Sequence, residues 1–176
     1  ERAEANLPED ENKFRSQLGD DLFDLALGMV RGENEEIYNY SIEVEQLLQK
    51  VVKWLPDNQD AWGWLGFVYG LANKHTEAVE MYKQVINLND KHKMAWNNLG
   101  GEYNSQELYD KAINAYKKAI EIDAQFAIAW NGLGNVHNSK NQSEDAIIAY
   151  QKAIEIDPKY THAWNGLGNA YEAMSQ

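Results

Sequence analysis

Cysteine is absent from the 176 residues, which removes disulfides, thiolate zinc sites, iron–sulfur clusters and cysteine nucleophiles together. Proline occurs three times and glycine twelve, and β-branched runs are scarce. That is too little punctuation for the many turns of a sandwich or barrel, so the expected class is all-α. No apolar run approaches the roughly 18 residues of a spanning helix, and the opening residues do not read as a signal peptide. The chain therefore reads as a soluble protein with no membrane partner, and the lack of cysteine fits the cytoplasm. Positive charge is also short: 16 Lys and Arg stand against 28 Asp and Glu, a formal charge of −12. Such a surface repels phosphate backbones instead of releasing their counterions, so nucleic acid is not expected as a partner. What is plentiful is apolar and aromatic surface, 44% and 11% of the residues, enough for a real core.

The dominant feature appears when the sequence is slid against itself. Trp62, Trp96, Trp130 and Trp164 stand 34 residues apart, in the settings AWGWLGFVYG, AWNNLGGEYN, AWNGLGNVHN and AWNGLGNAYE. The first three are followed by EAVEMYKQVINLN, KAINAYKKAIEID and DAIIAYQKAIEID. Within one unit, Trp130, Leu133 and His137 share a face of a first helix, with Gly134 among them where a partner helix must approach closely. Ala146, Tyr150 and Ala153 share a face of a second helix, alternating small and large. Lys140–Asn141–Gln142–Ser143 reads as the turn between them, with Ser143 expected as N-cap, and Asp157–Pro158 as the stop after the second helix.

These residues resemble the tetratricopeptide repeat, a 34-residue helix–turn–helix with Trp, Leu, Gly, Tyr, Ala, Phe, Ala and Pro at fixed offsets. Residues 93–126 carry Trp96, Leu99, Gly100, Tyr103, Ala112, Tyr116 and Ala119, with Ala124 in the proline slot. Residues 127–160 carry Trp130, Leu133, Gly134, His137, Ala146, Tyr150, Ala153 and Pro158. Unit 59–92 is looser, with Trp62, Leu65, Gly66, Tyr69, Ala78 and Tyr82 but Val85 and Asp90 at the last two slots. Residues 161–176 supply a first helix only, through Trp164, Leu167, Gly168 and Tyr171. Running the frame backwards gives a degenerate unit 25–58, so 1–58 is expected as an atypical helical hairpin capping the array. Its first helix would carry Phe14, Leu18, Leu22, Leu25 and Met29, and its second a stripe from Ile37 and Tyr40 through Val44, Leu48 and Val51 to Leu55. The expected helices are 59–72, 75–88, 93–106, 109–122, 127–140, 143–156 and 161–174, wound as a right-handed superhelix.

Signs of chemistry are few. Gly132–Leu–Gly134 and Gly166–Leu–Gly168 lack a third glycine and a preceding strand, so they read as helix-packing positions and not as a dinucleotide loop. His75, His92, His137 and His162 have no metal-ligand spacing. The acidic pairs Asp20–Asp21, Glu35–Glu36 and Glu144–Asp145 read as helix-start charges in place of a general acid and base. No catalytic residue, cofactor or metal is expected, and the chain is not read as an enzyme.

The resemblance implies that first helices line a concave groove. The positions it points to hold Asn97 and Asn104, then Asn131, Asn135 and Asn138, then Asn165 and Asn169, a ladder of amides. Asparagine is a mediocre helix former, and its amide can donate and accept at once, which suits the backbone of an extended peptide. The alternative is a solvated residue copied during duplication. At the N-terminal end, Trp64 and Phe67 replace the amides, as an apolar side-chain pocket or a seat for the N-terminal hairpin. Relatives that clamp acidic tails use basic groove residues; the corresponding slots here hold Gly63, Phe67, Asn98, Ile128 and Gly132, and no arginine follows Arg31. The expected function is a protein-interaction scaffold binding a partner's extended segment. The rival readings are a regulatory arm of a larger enzyme or signalling protein, and an array that self-associates end to end through its C-terminal helix.

Overall fold

The computed structural model describes residues 42–174 together with 17, 19–21 and 23–24, the latter all helical. Eight helices follow in order: α1 (Ile42–Trp54), α2 (Gln59–Leu71), α3 (His75–Leu88), α4 (Lys93–Ser105), α5 (Tyr109–Ile122), α6 (Ala127–Ser139), α7 (Ser143–Ile156) and α8 (Thr161–Met174). Among the described residues there is no strand. Each helix packs against the next, and the first helices of successive units also touch, α4 with α6 and α6 with α8. The result is an all-α solenoid. The seven helices expected from 59 onward match the observed ones to within a residue, and Phe14, Leu18, Leu22, Leu25, Met29, Ile37 and Tyr40 lie outside the described residues.

The turn inside each unit repeats to the atom. Asn73, Glu107 and Asn141 adopt left-handed φ values of 57°, 59° and 57°. The amide that follows each donates back to a first-helix carbonyl: Lys74 to Tyr69 at 2.8 Å, Leu108 to Tyr103 at 2.8 Å and Gln142 to His137 at 2.9 Å. That pattern is the Schellman motif, which satisfies carbonyls orphaned at a helix end. Its geometry corrects one expectation: the residue capping α7 is Gln142 and not Ser143, which is already the first helical residue, and no side chain caps that end. The chain leaves the left-handed residue one position earlier than a serine cap requires.

The turn between units is held differently. The side-chain oxygen of Asn89, Asp123 or Asp157 accepts from the amide two residues on, Lys91 at 3.1 Å, Gln125 at 3.0 Å and Lys159 at 3.0 Å. This Asx turn persists whether Asp90, Ala124 or Pro158 fills the proline slot. Each tryptophan then reaches back to the same turn, its indole N–H donating to the carbonyl of Pro56 (2.7 Å), Asp90 (2.7 Å), Ala124 (3.1 Å) or Pro158 (3.0 Å). The 34-residue tryptophan is thus a hydrogen-bonded brace as well as an apolar mass.

The core depends on matched sizes. Tyr116 and Tyr150 are buried, and each ring lies between two glycine backbones: Gly100 and Gly132 for the first, Gly134 and Gly166 for the second. A Cβ at Gly134 would stand 2.7 Å from the Tyr150 ring, so Gly132, Gly134 and Gly166 are packing positions, as expected, whereas Gly168 of the second pair has open space beside it. Burial pushes the Tyr116 phenol up to about 12 and moves those of Tyr82 and Tyr150 in the same direction. In α1 the equivalent of these tyrosines is Leu48, fully buried, and the slot that holds Asn98, Gly132 and Gly166 in later units holds Trp64. A smaller residue on one side is matched by a larger one on the other. Moving α3 back by one period gives 41–54, so α1 sits where the degenerate unit's second helix is expected. Val44, Leu48 and Val51 join Leu65, Val68 and Tyr69 in one core. Lys74 pairs with Glu45 at 2.6 Å across the same joint.

Candidate functional site

The face of interest is made by α2, α4, α6 and α8. At its N-terminal end, Trp64 and Phe67, one turn apart on α2, meet edge to face with centroids 5.6 Å apart at 88°. With Gly63, Met94 of α4 and Val85 of α3 they line a cavity of about 310 Å³. Its mouth is apolar and open: Phe67 and Met94 are 39% and 41% exposed. The lining contains Asp60 and no lysine or arginine. Asn98 lies at the border. Gly63 contributes space, since a Cβ there would meet nothing within 4 Å.

The asparagine ladder divides into three kinds. Asn97, Asn104 and Asn131 each have a buried side-chain oxygen without a hydrogen-bond partner. Asn131, at 8% exposure, is the buried polar residue of the described core. An isolated acceptor in such a place costs roughly 1–3 kcal/mol unless something satisfies it. Asn97 donates to Asn98 at 3.2 Å, so its amide is partly engaged. Asn135 is different: exposed at its edge, it accepts from the Tyr150 hydroxyl at 2.8 Å and thereby serves the core. Asn138 is half-buried, and Asn165 and Asn169 are exposed. The seven amides therefore differ in depth.

The histidines are accounted for individually. His92 caps α4, its Nδ1 accepting from the Ala95 amide at 3.1 Å, a role the sequence reading missed because histidine is not a common cap. His75 joins Glu102 at 2.8 Å. His137 is half-buried and its Nδ1 lies 2.9 Å from Gln142 Oε1. His162 lies edge to face with Tyr160, centroids 5.5 Å apart. Among the described residues no group of three or more His, Asp or Glu side chains could hold a metal ion, and no helix is long and apolar enough to cross a membrane. Of the acidic pairs, Glu144–Asp145 stands in the first turn of α7, Asp20–Asp21 lies in helical residues, and Glu35–Glu36 falls outside the described ones.

Comparison with known proteins agrees with this geometry. A family model described as TPR repeat matches residues 100–139 and 134–175, and one described as tetratricopeptide repeat matches 59–92. No curated protein sequence matches at a significant level. Among solved structures, a crystal structure of MamA protein is 26% identical, covers 92% of this chain and 83% of its own, and superposes with a TM-score of 0.74. Two others share the fold at lower identity. The first TPR of Spaghetti (RPAP3) bound to the HSP90 peptide SRMEEVD is 18% identical over 67% of this chain and 94% of its own, with a TM-score of 0.63. The Sgt2 TPR domain from Aspergillus fumigatus is 19% identical over 66% of this chain and 79% of its own, with a TM-score of 0.64.

Proposed function

The chain belongs to the tetratricopeptide repeat family and is on that ground a protein-interaction scaffold; from this premise we propose that it binds an extended segment of a partner protein along the face of α2, α4, α6 and α8, with no catalysis of its own. The observation that carries the reading is the 310 Å³ cavity at Trp64 and Phe67, which takes one bulky apolar side chain. Filling such a pocket contributes about 1.5–3 kcal/mol, sufficient to set the register of a bound strand. Beyond it, exposed Asn165 and Asn169 and half-buried Asn138 offer donors and acceptors to the passing backbone. A structural neighbour holds an HSP90 peptide ending in EEVD, but here the cavity lining carries Asp60 and no lysine or arginine, and its His92 is taken up in capping α4. The preferred segment is therefore apolar at its anchor and not acidic beside it. The test is selection from a displayed peptide library. Sequences with one recurrent bulky apolar residue should emerge, and Phe67→Ala should weaken them about tenfold. Enrichment of acidic C-terminal tails, or affinity unchanged by that substitution, would overturn the assignment.

A second reading, self-association through α8, is favoured by one feature: Trp164 and Tyr171 are both 51% exposed, although their counterparts in earlier units are buried or half-buried. Sedimentation across a concentration series tests it. A rising mass that Tyr171→Ser reverses supports it, and a concentration-independent monomer refutes it.

A further inference from the structure

The opposite side of α4 carries a second feature that the groove does not explain. Between the second helices α3 and α5 lies a cavity of about 490 Å³ whose floor is Ile86, Trp96, Leu99 and Tyr103. Its rim carries Lys83, Lys111 and Lys118, with the amides of Asn87 and Asn114 between them, and no carboxylate lines it. Three lysines around one apolar floor are unusual in a chain with 16 basic residues and a net charge of −12.

The repeat supplies an internal control. One period later the positions of Asn87, Lys111 and Asn114 are held by Glu121, Asp145 and Ile148, and one period earlier the positions of Lys111 and Asn114 are held by Glu77 and Glu80. Lys83 and Lys118 keep a lysine one period later, as Lys117 and Lys152, but the position of Lys111 is a carboxylate at both neighbouring joints and those of Asn87 and Asn114 are each a carboxylate at one. Trp96 and Leu99 of the floor recur at both neighbouring joints as Trp62 and Trp130 and as Leu65 and Leu133, so these two packing residues do not account for the change at Lys111. Lys83 and Lys118 pair with Glu80 and Glu121 at 2.7 Å, both three residues away on exposed helix surface. Pairs of that kind are worth a few tenths of a kcal/mol and exchange readily for a better-placed carboxylate. Lys111 lies 5.6 Å from the Tyr103 ring centroid, above the floor.

We propose that this lysine-rimmed cleft between α3 and α5 is a second docking site, and that its occupant is an acidic peptide segment inserting one apolar side chain onto the Trp96–Tyr103 floor. The occupant is a peptide because the floor is apolar and side-chain sized, and the rim amides suit a backbone. It is acidic because three lysines and no carboxylate line the rim, and Lys111 stands where both neighbouring joints carry a carboxylate. The site lies on the other side of α4 from the Trp64–Phe67 cavity, so it stands apart from the groove reading.

The experiment uses the full chain and a short fluorescein-labelled peptide of aspartates and glutamates with one central leucine, read by anisotropy. Binding should weaken about tenfold in the triple variant K83Q/K111Q/K118Q, and similarly when the leucine is replaced by serine or the acids by their amides. The control variant K117Q/K152Q, the equivalents of Lys83 and Lys118 at the next joint, and Phe67→Ala in the groove should leave it unchanged. Circular dichroism checks that each variant keeps its helix content. No saturable binding by the wild type, equal losses in the triple and control variants, or equal binding of the amide peptide would overturn the proposal. So would lysine-dependent binding of an oligonucleotide or an anionic vesicle that matches or exceeds that of the peptide.

Discussion

Gly134 and Gly168 occupy the same position in consecutive units, in the identical setting Ala-Trp-Asn-Gly-Leu-Gly-Asn, yet their surroundings differ completely. A Cβ at Gly134 would stand 2.7 Å from Cδ1 and Cε1 of Tyr150, whereas one at Gly168 would meet nothing within 4 Å. Alanine in a helix interior is worth about 0.8–1.0 kcal/mol over glycine, and both substitutions gain it. Only Gly134→Ala also drives a methyl into a buried ring held from behind by Gly166, an overpacking cost of about 1–3 kcal/mol. Gly168→Ala should therefore stabilise by up to about 1 kcal/mol, and Gly134→Ala should be neutral to destabilising by about 2 kcal/mol. The gap between them is the overpacking cost itself. Urea unfolding followed by circular dichroism reads it, since slopes of roughly 1–3 kcal/mol/M turn the gap into a midpoint difference on the order of 1 M. If the two variants shift in the same direction by similar amounts, the ring-between-glycines account of the core is wrong.

Glu107 holds a left-handed φ of 59° where the neighbouring units use asparagine; Glu107→Asn should raise the urea midpoint by about 1 kcal/mol of stability, and a lowered midpoint would contradict the strain. Trp130→Phe deletes the indole bond to the Ala124 carbonyl and should cost about 0.5–1.5 kcal/mol in the same assay even though the apolar ring is kept; a cost below that range would leave the brace without energetic weight. Tyr116 has a folded pKa raised to about 12 above the ordinary value near 10, so its contribution is fully present below about pH 10. The unfolded chain releases that proton first as pH rises, and stability should fall between about pH 10 and 12 by on the order of 2–3 kcal/mol. Tyr116→Phe should flatten that slope, and an identical slope in the variant would refute the assignment.

Much of this molecule is legible from the 34-residue period alone, because a repeat array buries its core by nearest-neighbour contact and each unit must restate the same small and large residues. Gly134 beside Tyr150, Leu48 in place of a tyrosine, and the helix limits all follow from that register. Depth is another matter. Helical offsets place Asn97, Asn131 and Asn165 on one side, but whether an amide is sequestered like Asn131 or exposed like Asn165 depends on whether a following unit covers it. The bond from Tyr150 to Asn135 likewise arises between two helices and has no sequence signal. His92 as a cap and Gln142 in place of Ser143 reflect where the Asx and Schellman turns end, which shifts by one residue what composition alone would choose. The Lys83–Lys111–Lys118 rim was hidden for the opposite reason: what sets it apart is Lys111, a departure from the carboxylate of both neighbouring units, and a reading built on what recurs passes over it.

The central claim, that an extended segment anchors an apolar side chain against Trp64 and Phe67, is tested most directly by mapping a selected peptide onto the full chain with amide chemical shifts. Perturbations confined to α2 and α4 around Gly63, Phe67 and Met94, trailing along α6 and α8 and lost in Phe67→Ala, are the predicted result. Perturbations centred on the α3–α5 face, or unchanged by that substitution, would contradict it.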